Sequence, residues 1–545
     1  MDKRVVDAAA AALGPYNDRI LSGISKEQCD WFEVYIRDTW KSAQLSFPEG
    51  LVFENMSRVN PYDEFAVATK IKEGKRSYEM SRSDLYMVRY DFSLNSKPLI
   101  PKYQYFPYLS DGAIMYLKSN KFAVNPVAVD PSFSYGADSM FIQLNRVRYT
   151  FERTSYNLAV DGQSRHVYLV KCWLHLRAGK ERKRRAEAYK IPHSIIGVYL
   201  LIRYGLRGAL AKFVGDHVVT HVGYNLRREV YPEDTWTIIN SCGFTPRVYK
   251  NRPYKKSDLC VAIPKDCLTD EALAILGSFI YAVDHFPNDI EPEYVDDPHA
   301  WKLILGKIIK DEDMHIGAMI NDIDDHLLAI EEYLDPMIRV SLKSSNIHCD
   351  DIYELLMYIM VDLSNRAITN YADYASMWDK RLTTLKYLAY DIVAGINDLI
   401  FQLKKHQKRK GELTAQDVEK ILNDKIRLMA IVRIADKQRH PEVTPLASAS
   451  ECLYFNVTSN IVSQDRASRR RKASINLNDP KQHLDASLLA IGSYANLPKS
   501  DPTGASKLNP MQELVDYPYG DVGFKRPEGR DLEILSDLQA RIMKR

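Results

Sequence analysis

Between residues 83 and 173, Tyr, Phe, Val and Ile alternate with polar residues in short runs, at 85–92, 113–117, 122–129, 141–151 and 166–173. A period of two puts successive side chains on opposite faces of a strand, so these runs predict a sheet-rich region. Ser110-Asp111-Gly112, Ser119-Asn120 and Asp161-Gly162 punctuate it with residues that accept turn conformations. From about residue 191 to 336 the pattern mixes an apolar run at 195–201, strand and loop around 236–248, and helical stretches from Asp270 and from Asp297. After residue 345 the apolar spacing lengthens to three and four. Leu382, Leu385, Leu388, Ile392, Ile396, Leu399 and Leu403 then fall on one face and predict a single long helix. Another helix follows Thr414, whose hydroxyl can cap it. Beyond Pro480, the residues Pro498, Pro502, Gly504, Pro510, Pro518, Gly520, Gly523, Pro527 and Gly529 exclude a helix interior. That segment reads as extended and wrapped on a partner, with a helical stretch at 531–545.

These patterns predict an α+β, multidomain chain. The expected regions are a 1–80 segment packed on the core, a β-rich part at 81–190, an inserted α/β domain at 191–345, a helical part at 346–440, and a basic then Pro/Gly-rich part at 441–545. A chain of 545 residues exceeds one hydrophobic core. Its 46% hydrophobic and 27% charged residues are those of an ordinary globular protein rather than a disordered one. The net charge of +3 argues for no particular partner, so any case for a polyanion must come from local clustering. The seven cysteines, Cys29, Cys172, Cys242, Cys260, Cys267, Cys349 and Cys452, are scattered and form no C-x-x-C pair, which predicts a reducing cytosol and no structural zinc. A secretory start and an apolar run of membrane-spanning length are both absent, so no membrane role is expected.

Three basic runs stand out. Arg177, Lys180, Arg182, Lys183, Arg184 and Arg185 could neutralise phosphates or form a solvated loop. Lys404, Lys405, Lys408, Arg409 and Lys410 end the predicted long helix, where the helix dipole favours cations without any ligand. Arg466, Arg469, Arg470, Arg471 and Lys472 follow a polar stretch containing Asn460 and Gln464; guanidinium forks beside amides and hydroxyls suit a nucleic-acid contact loop. The acidic stretch Asn321-Asp322-Ile323-Asp324-Asp325-His326 has neither the spacing nor the glycine of a calcium loop and reads as a solvated helix start. Phosphate-loop, dinucleotide-fold, zinc-protease and nucleophile-elbow motifs are all absent. An independent NTPase, dehydrogenase or hydrolase is therefore disfavoured, and no catalytic residue is assigned.

Four segments, taken in order, resemble the β subunit of multisubunit DNA-dependent RNA polymerases. Lys121-Phe122-Ala123-Val124-Asn125 is similar to G-x-F-I-I-N-G of the protrusion, with Pro126 in place of the last glycine. Lys190-Ile191-Pro192, with the following stretch from Ser194 to Gly205, resembles K-x-I-P…L-x-A-L-G before the lobe. Lys380-Arg381 and the helix after it resemble D-D-x-D-H-x-x-N-R-R, with Asp373 retained and the histidine missing. Leu497-Pro498-Lys499-Ser500-Asp501-Pro502-Thr503-Gly504 is similar to C-P-x-E-T-P-E-G, both prolines and the glycine being in register. Between the last two, Arg469-Arg470-Arg471-Lys472-Ala473-Ser474 resembles H-K-R-R-L-S of the fork.

The resemblance implies the amino-terminal half of a split β-like subunit, of the kind found in giant tailed bacteriophages. Residues 81–190 and 346–440 would form the protrusion, 191–345 the lobe, and 441–545 the fork. It implies partners, namely a carboxyl-terminal β-like fragment, split β′-like fragments, template DNA and product RNA. It implies Mg2+ in the β′-like partner and no cofactor on this chain, and action in the host cytoplasm or a phage-made compartment. The implied nucleic-acid contacts are Arg466, Arg469, Arg470, Arg471, Lys472, Asn460, Gln464, Lys380, Arg381, Arg182 and Arg184. Giant phages can carry one polymerase in the virion and one made during infection; the second is the expectation here. The alternative from a different class is a non-enzymatic nucleic-acid-binding or virion structural protein bearing the same basic loops.

Overall fold

The computed structural model describes residues 31–71, 82–109, 114–124, 126–135, 139–143, 148–173, 194–243, 256–309, 315–330, 333–365, 376–428, 443–446, 460–463, 505–507 and 512–526, with a few isolated positions besides. The described chain is mixed helix and sheet, an α+β protein. It divides into two compact units. One comprises 1–132, 335–344 and 372–545, and the other 133–334 and 345–371.

The first unit begins with α1 (Trp31–Gln44), followed by β1 (Leu51–Arg58), α2 (Pro61–Ile71), β2 (Leu85–Leu94), β3 (Lys97–Pro98) and β4 (Lys102–Pro107). β2 pairs with β1, β3 and β4 in one antiparallel sheet. Apolar residues of α1 recur every three to four positions, and Phe32, Tyr35, Ile36 and Trp40 are buried as a stripe. Trp40 lies parallel to Phe53 at 5.6 Å and edge-on to Phe92 at 5.3 Å. Burying each such side chain contributes roughly 1.5–3 kcal/mol, enough to fix this helix on the sheet.

β5 (Ile114–Leu117), β6 (Asn120–Val124) and β7 (Val127–Val129) follow. The run at 122–129 is thus two strands rather than one, parted at Pro126, which has no N–H to give a ladder. The second unit then opens with β8 (Phe133–Tyr135), β9 (Ser139–Gln143), β10 (Arg148–Val160) and β11 (Gln163–Trp173). The run at 141–151 is likewise divided between β9 and β10. β10 and β11 form a long hairpin closed by Asp161 (φ 52°) and Gly162 (φ 80°). Two positive φ values give the turn a twist that matches its strands, which is why Asp-Gly suits it.

β12 (Ser194–Ile195) leads into α3 (Gly197–Phe213), so the apolar run at 195–201 is mainly helical. Gly205, at φ 71° and ψ 179°, breaks α3 in two. Beyond the break the Leu206 N–H donates to the Val295 carbonyl at 3.2 Å and the Arg207 N–H to Asp296 Oδ1 at 2.8 Å, so neighbouring chain caps the second half. β13 (His221–Tyr224), β14 (Trp236–Ser241), β15 (Leu259–Pro264), α4 (Asp270–His285), α5 (Pro298–Ile309) and α6 (Ile316–Ile330) follow. Thr269 caps α4, accepting the Ala272 N–H at 3.3 Å. α7 (Pro336–Ser344) returns to the first unit, and α8 (Ile352–Asn365) to the second.

The eight-stranded sheet of the second unit runs β12-β11-β10-β14-β15-β13, with β9 on β10 and β8 on β9, so it takes strands from either side of residue 190. α4 and α8 pack on β10 and β11, and the Ser364 hydroxyl donates to the Tyr168 carbonyl at 2.8 Å. At the crossing of α3 and α4, a Cβ on Gly197 would stand 2.3 Å from Ser278, so glycine permits the approach.

The acidic stretch 321–326 lies inside α6 and does not start it. Asp324 pairs with Lys302 at 2.8 Å, both side chains being at most 20% exposed, and the Tyr199 hydroxyl meets His326 Nε2 at 3.0 Å. The expected solvated start is therefore a partly covered helix middle, because partners distant in sequence cover it.

The first unit resumes with β16 (Arg381–Thr383), α9 (Lys386–Lys410), α10 (Ala415–Lys425), β17 (Val443–Pro445), β18 (Asn460–Ser463), β19 (Ala505–Lys507), β20 (Leu514–Asp516) and β21 (Val522–Phe524). Leu382 belongs to a strand and Leu385, at φ 58°, precedes the helix, so both fall outside α9. Ile392, Ile396, Leu399 and Leu403 are buried on one face as the spacing requires. α9 ends in Lys408-Arg409-Lys410 before Gly411 (φ 82°), where cations face the negative end of the helix. β17-β6-β5 form a three-stranded sheet, and β19-β18-β7-β16-β21-β20 a six-stranded one.

Candidate nucleic-acid interface

The six-stranded sheet of the first unit gathers segments far apart in sequence. β18 runs parallel to β7, with Val462 opposite Val127 and Ser463 opposite Ala128. On the other side β16 runs antiparallel, with Leu382 opposite Ala128 and Arg381 opposite Val129. β21 meets β16 at Val522–Leu382, β19 meets β18 at Ala505–Val462, and β20 meets β21 at Leu514–Phe524. These registers fix which ends coincide. The end where β7 runs out to Asp130 also holds Lys380 and Arg381, the last residue of β18, the first of β19, and Lys525 and Arg526 after β21. The chain leaves this end into Gln464 and the basic run to Lys472, and returns to it from Pro498 to Gly504.

Lys380 donates to Asp130 at 2.5 Å, the two side chains being 17% and 12% exposed. The pair is held together out of water, so removing either partner would strand a charge. Arg381 stacks on the Tyr517 ring, its guanidinium carbon 3.7 Å from the centroid, and donates to the Lys380 carbonyl at 3.3 Å. Gly523 makes room for that ring. A Cβ there would stand 2.6 Å from Tyr517 Cε2 and 3.2 Å from Arg381 Nη1. Lys525 pairs with Glu513 at 2.6 Å and Arg526 with Asp379. The described cations at this end therefore come with acidic or aromatic partners that steady them.

Of the residues singled out in the sequence, Lys380 and Arg381 are brought together here, whereas Asn460, the first residue of β18 two strands away, falls at the opposite end of the sheet. Arg466, Arg469, Arg470, Arg471, Lys472, Gln464, Arg182 and Arg184 lie outside the described residues, as do Lys190 to Pro192 and Leu497 to Gly504. Tyr517, Lys525 and Arg526 were missed. Their signal was available as an aromatic pair in Tyr517-Pro518-Tyr519-Gly520 and a Lys-Arg pair in a segment read only for its prolines and glycines. That segment, expected to wrap a partner, instead adds β19, β20 and β21 to this chain's own sheet. The Tyr519 hydroxyl also donates to Asp38 of α1 at 3.0 Å, and burial raises that phenol above its ordinary range.

Among the described residues no group of three or more His, Cys, Asp or Glu side chains could hold a metal ion. No described helix is long and apolar enough to cross a membrane.

The family described as non-virion RNA polymerase subunit matches residues 6–526, nearly the whole chain. The chain belongs to that family. It is thus a subunit of a phage RNA polymerase, an enzyme of several subunits that carries out transcription. Membership in the non-virion family decides between the two phage polymerases and sets aside a purely structural virion role. No curated protein matches the chain.

Proposed function

We propose that this non-virion RNA polymerase subunit is the amino-terminal, β-like part of a split β subunit and forms one wall of the DNA cleft together with the fork. The observation that supports this is the convergence at one sheet end. The Lys380-Arg381 pair, Ser463 at the end of β18 and Ala505 at the start of β19 border it, and in sequence Ser463 is followed by the run to Arg466, Arg469, Arg470, Arg471 and Lys472 while Ala505 is preceded by Pro498 to Gly504. In this reading three segments that resemble the β subunit, spread over residues 380–504, act as one surface. Arg466 to Lys472, Gln464 and Arg381 then hold phosphates of the hybrid or fork, and Lys380, tied to Asp130, positions the strand that carries Arg381. Arg182 and Arg184 touch the nucleic acid elsewhere. Phosphate contact suits an enzyme that must accept any sequence.

Catalysis in this reading belongs to the assembled enzyme. A β′-like partner would hold the Mg2+, which would supply the Lewis-acid chemistry of nucleotide addition. The other partners are a carboxyl-terminal β-like fragment, template DNA and product RNA, met in the host cytoplasm or a phage-made compartment. A photo-crosslinking amino acid placed at Arg470 in a transcribing complex tests the assignment. Crosslinks to template DNA or nascent RNA are expected, and crosslinks confined to protein would remove the fork role.

A further inference from the structure

A second basic feature of the first unit lies on the β5–β6 hairpin, in a different sheet from the one described above. Tyr116 and Lys121 are directly opposed across the two strands, so both side chains stand on one face. The Arg82 guanidinium lies over the Tyr116 ring with its carbon 3.7 Å from the centroid, and Lys121 Nζ is 5.7 Å from the same centroid. Asp84, buried at 1% exposure, receives the Tyr116 N–H at 2.9 Å and Arg82 Nε at 3.4 Å. One edge and one face of the guanidinium are thereby fixed while the side chain stays 55% exposed.

The hairpin itself is pinned to the same stretch. The Arg82 N–H donates to the Ser119 hydroxyl and the Lys118 N–H to the Ser83 hydroxyl, each at 3.0 Å, and the Ser119 N–H donates to the Arg82 carbonyl at 2.8 Å. Two cations are thus set beside one ring, with the buried Asp84 carboxylate holding the guanidinium.

We propose that Arg82 and Lys121, organised by Tyr116, form a second binding site for a nucleic-acid phosphodiester backbone, an inference that rests on the polymerase reading above. A positioned guanidinium fork matches phosphate oxygens, and like charges held close together gain when a polyanion meets them. The ring face under Arg82 is already covered, so the site holds the backbone and reads no base. An acidic protein surface could also neutralise the pair; the polyanion on which the enzyme works is favoured because the guanidinium is preset for phosphate.

The test measures binding of the full chain, purified with the subunits that accompany it, to a labelled mixed-sequence DNA duplex and to a labelled single-stranded RNA over a salt series. The double substitution Arg82→Gln, Lys121→Gln keeps a polar, unbranched side chain at each position, somewhat shorter than the original, and removes both charges. It should weaken binding on the arm that occupies the site and reduce the slope of log affinity against log salt by about 1–2, at roughly 0.9 per duplex phosphate or 0.7 per single-strand phosphate. Arg82→Lys with Lys121 intact should restore the wild-type slope. Unchanged slopes on both arms, in a preparation where Arg469, Arg470 and Arg471→Ala does reduce them, would overturn this site and leave the fork reading standing. Loss of a companion subunit with unchanged slopes would overturn it in favour of a protein interface. A wild-type complex that binds neither probe would overturn both.

Discussion

Lys118 and Ser119 close the β5–β6 hairpin at φ 51° and 63°, a conformation L-residues adopt at a cost of roughly 1–2 kcal/mol each. The cost is offset in part at Ser119, whose hydroxyl accepts the Arg82 N–H, and at position 118 asparagine tolerates the left-handed conformation better than lysine does. Lys118→Asn is therefore expected to stabilise the first unit by up to about 1 kcal/mol, read from its urea midpoint. Ser119→Gly should gain less, because it loses the hydroxyl; equal gains would show that the bond is idle.

Asp284 in the second unit is buried at 0% exposure and takes the Tyr156 hydroxyl as donor. Burial raises its carboxyl above the ordinary value, outweighing the bonds from Ser241 and Tyr156 that lower it. A raised folded pKa binds the proton more tightly in the native state. The stability it contributes is complete below the unfolded value near 4 and is lost as pH rises through the folded one. Asp284→Asn should hence become more stable relative to wild type as pH climbs from about 4, then level off. A difference constant across that range would contradict the burial argument.

At the scale of elements, α10 shows how a local signal becomes a measurable one. Thr414 accepts the Asp417 N–H at 3.2 Å and donates its hydroxyl to the Asp417 carboxylate at 2.7 Å. This bond first, then the one from Lys410, holds Asp417 down to about 2. Thr414→Ala should move the Asp417 carboxyl titration upward toward the ordinary range near 4, followed by NMR. In the wild type the contribution is present above that range and fades as pH falls through about 2. A titration that stays near 2 in the variant would assign the depression to Lys410 and His406 instead.

This cap was legible because all its parts lie within four residues. The start of α9 was not: Leu382 and Leu385 continue its spacing by chance, while Thr383 and Thr384 favour a strand and Leu385 turns left-handed. The short strands β19 to β21 were also hidden. Three-residue strands carry almost no periodicity, and what makes β21 a strand is its pairing with β16, where Val522 stands opposite the distant Leu382.

For the whole molecule, the alternating runs were enough to read a sheet-rich region with helices after it, and the basic run at 466–472 to suggest a phosphate surface. The partners of the basic residues were not readable, since Asp130 lies 250 positions from Lys380 and Asp379 lies 147 from Arg526. Charge composition shows cations, but only the register shows which are already paired. If Arg469, Arg470 and Arg471 hold phosphates, changing all three to Ala should lower nucleic-acid affinity and reduce the salt slope by about 2–3, with assembly intact. An unchanged slope would count against the contact. Pro498→Ala with Pro502→Ala should instead loosen the return to β19 and weaken assembly.

The central claim, a β-like subunit of a split polymerase, is tested most directly by recovering the tagged chain from infected cells, identifying its companions by mass spectrometry and assaying the eluate for nucleotide incorporation. β- and β′-like fragments, one with the aspartate-rich Mg2+ loop, should accompany it, and RNA should be made. Recovery alone, or with capsid and tail proteins and no incorporation, would contradict it.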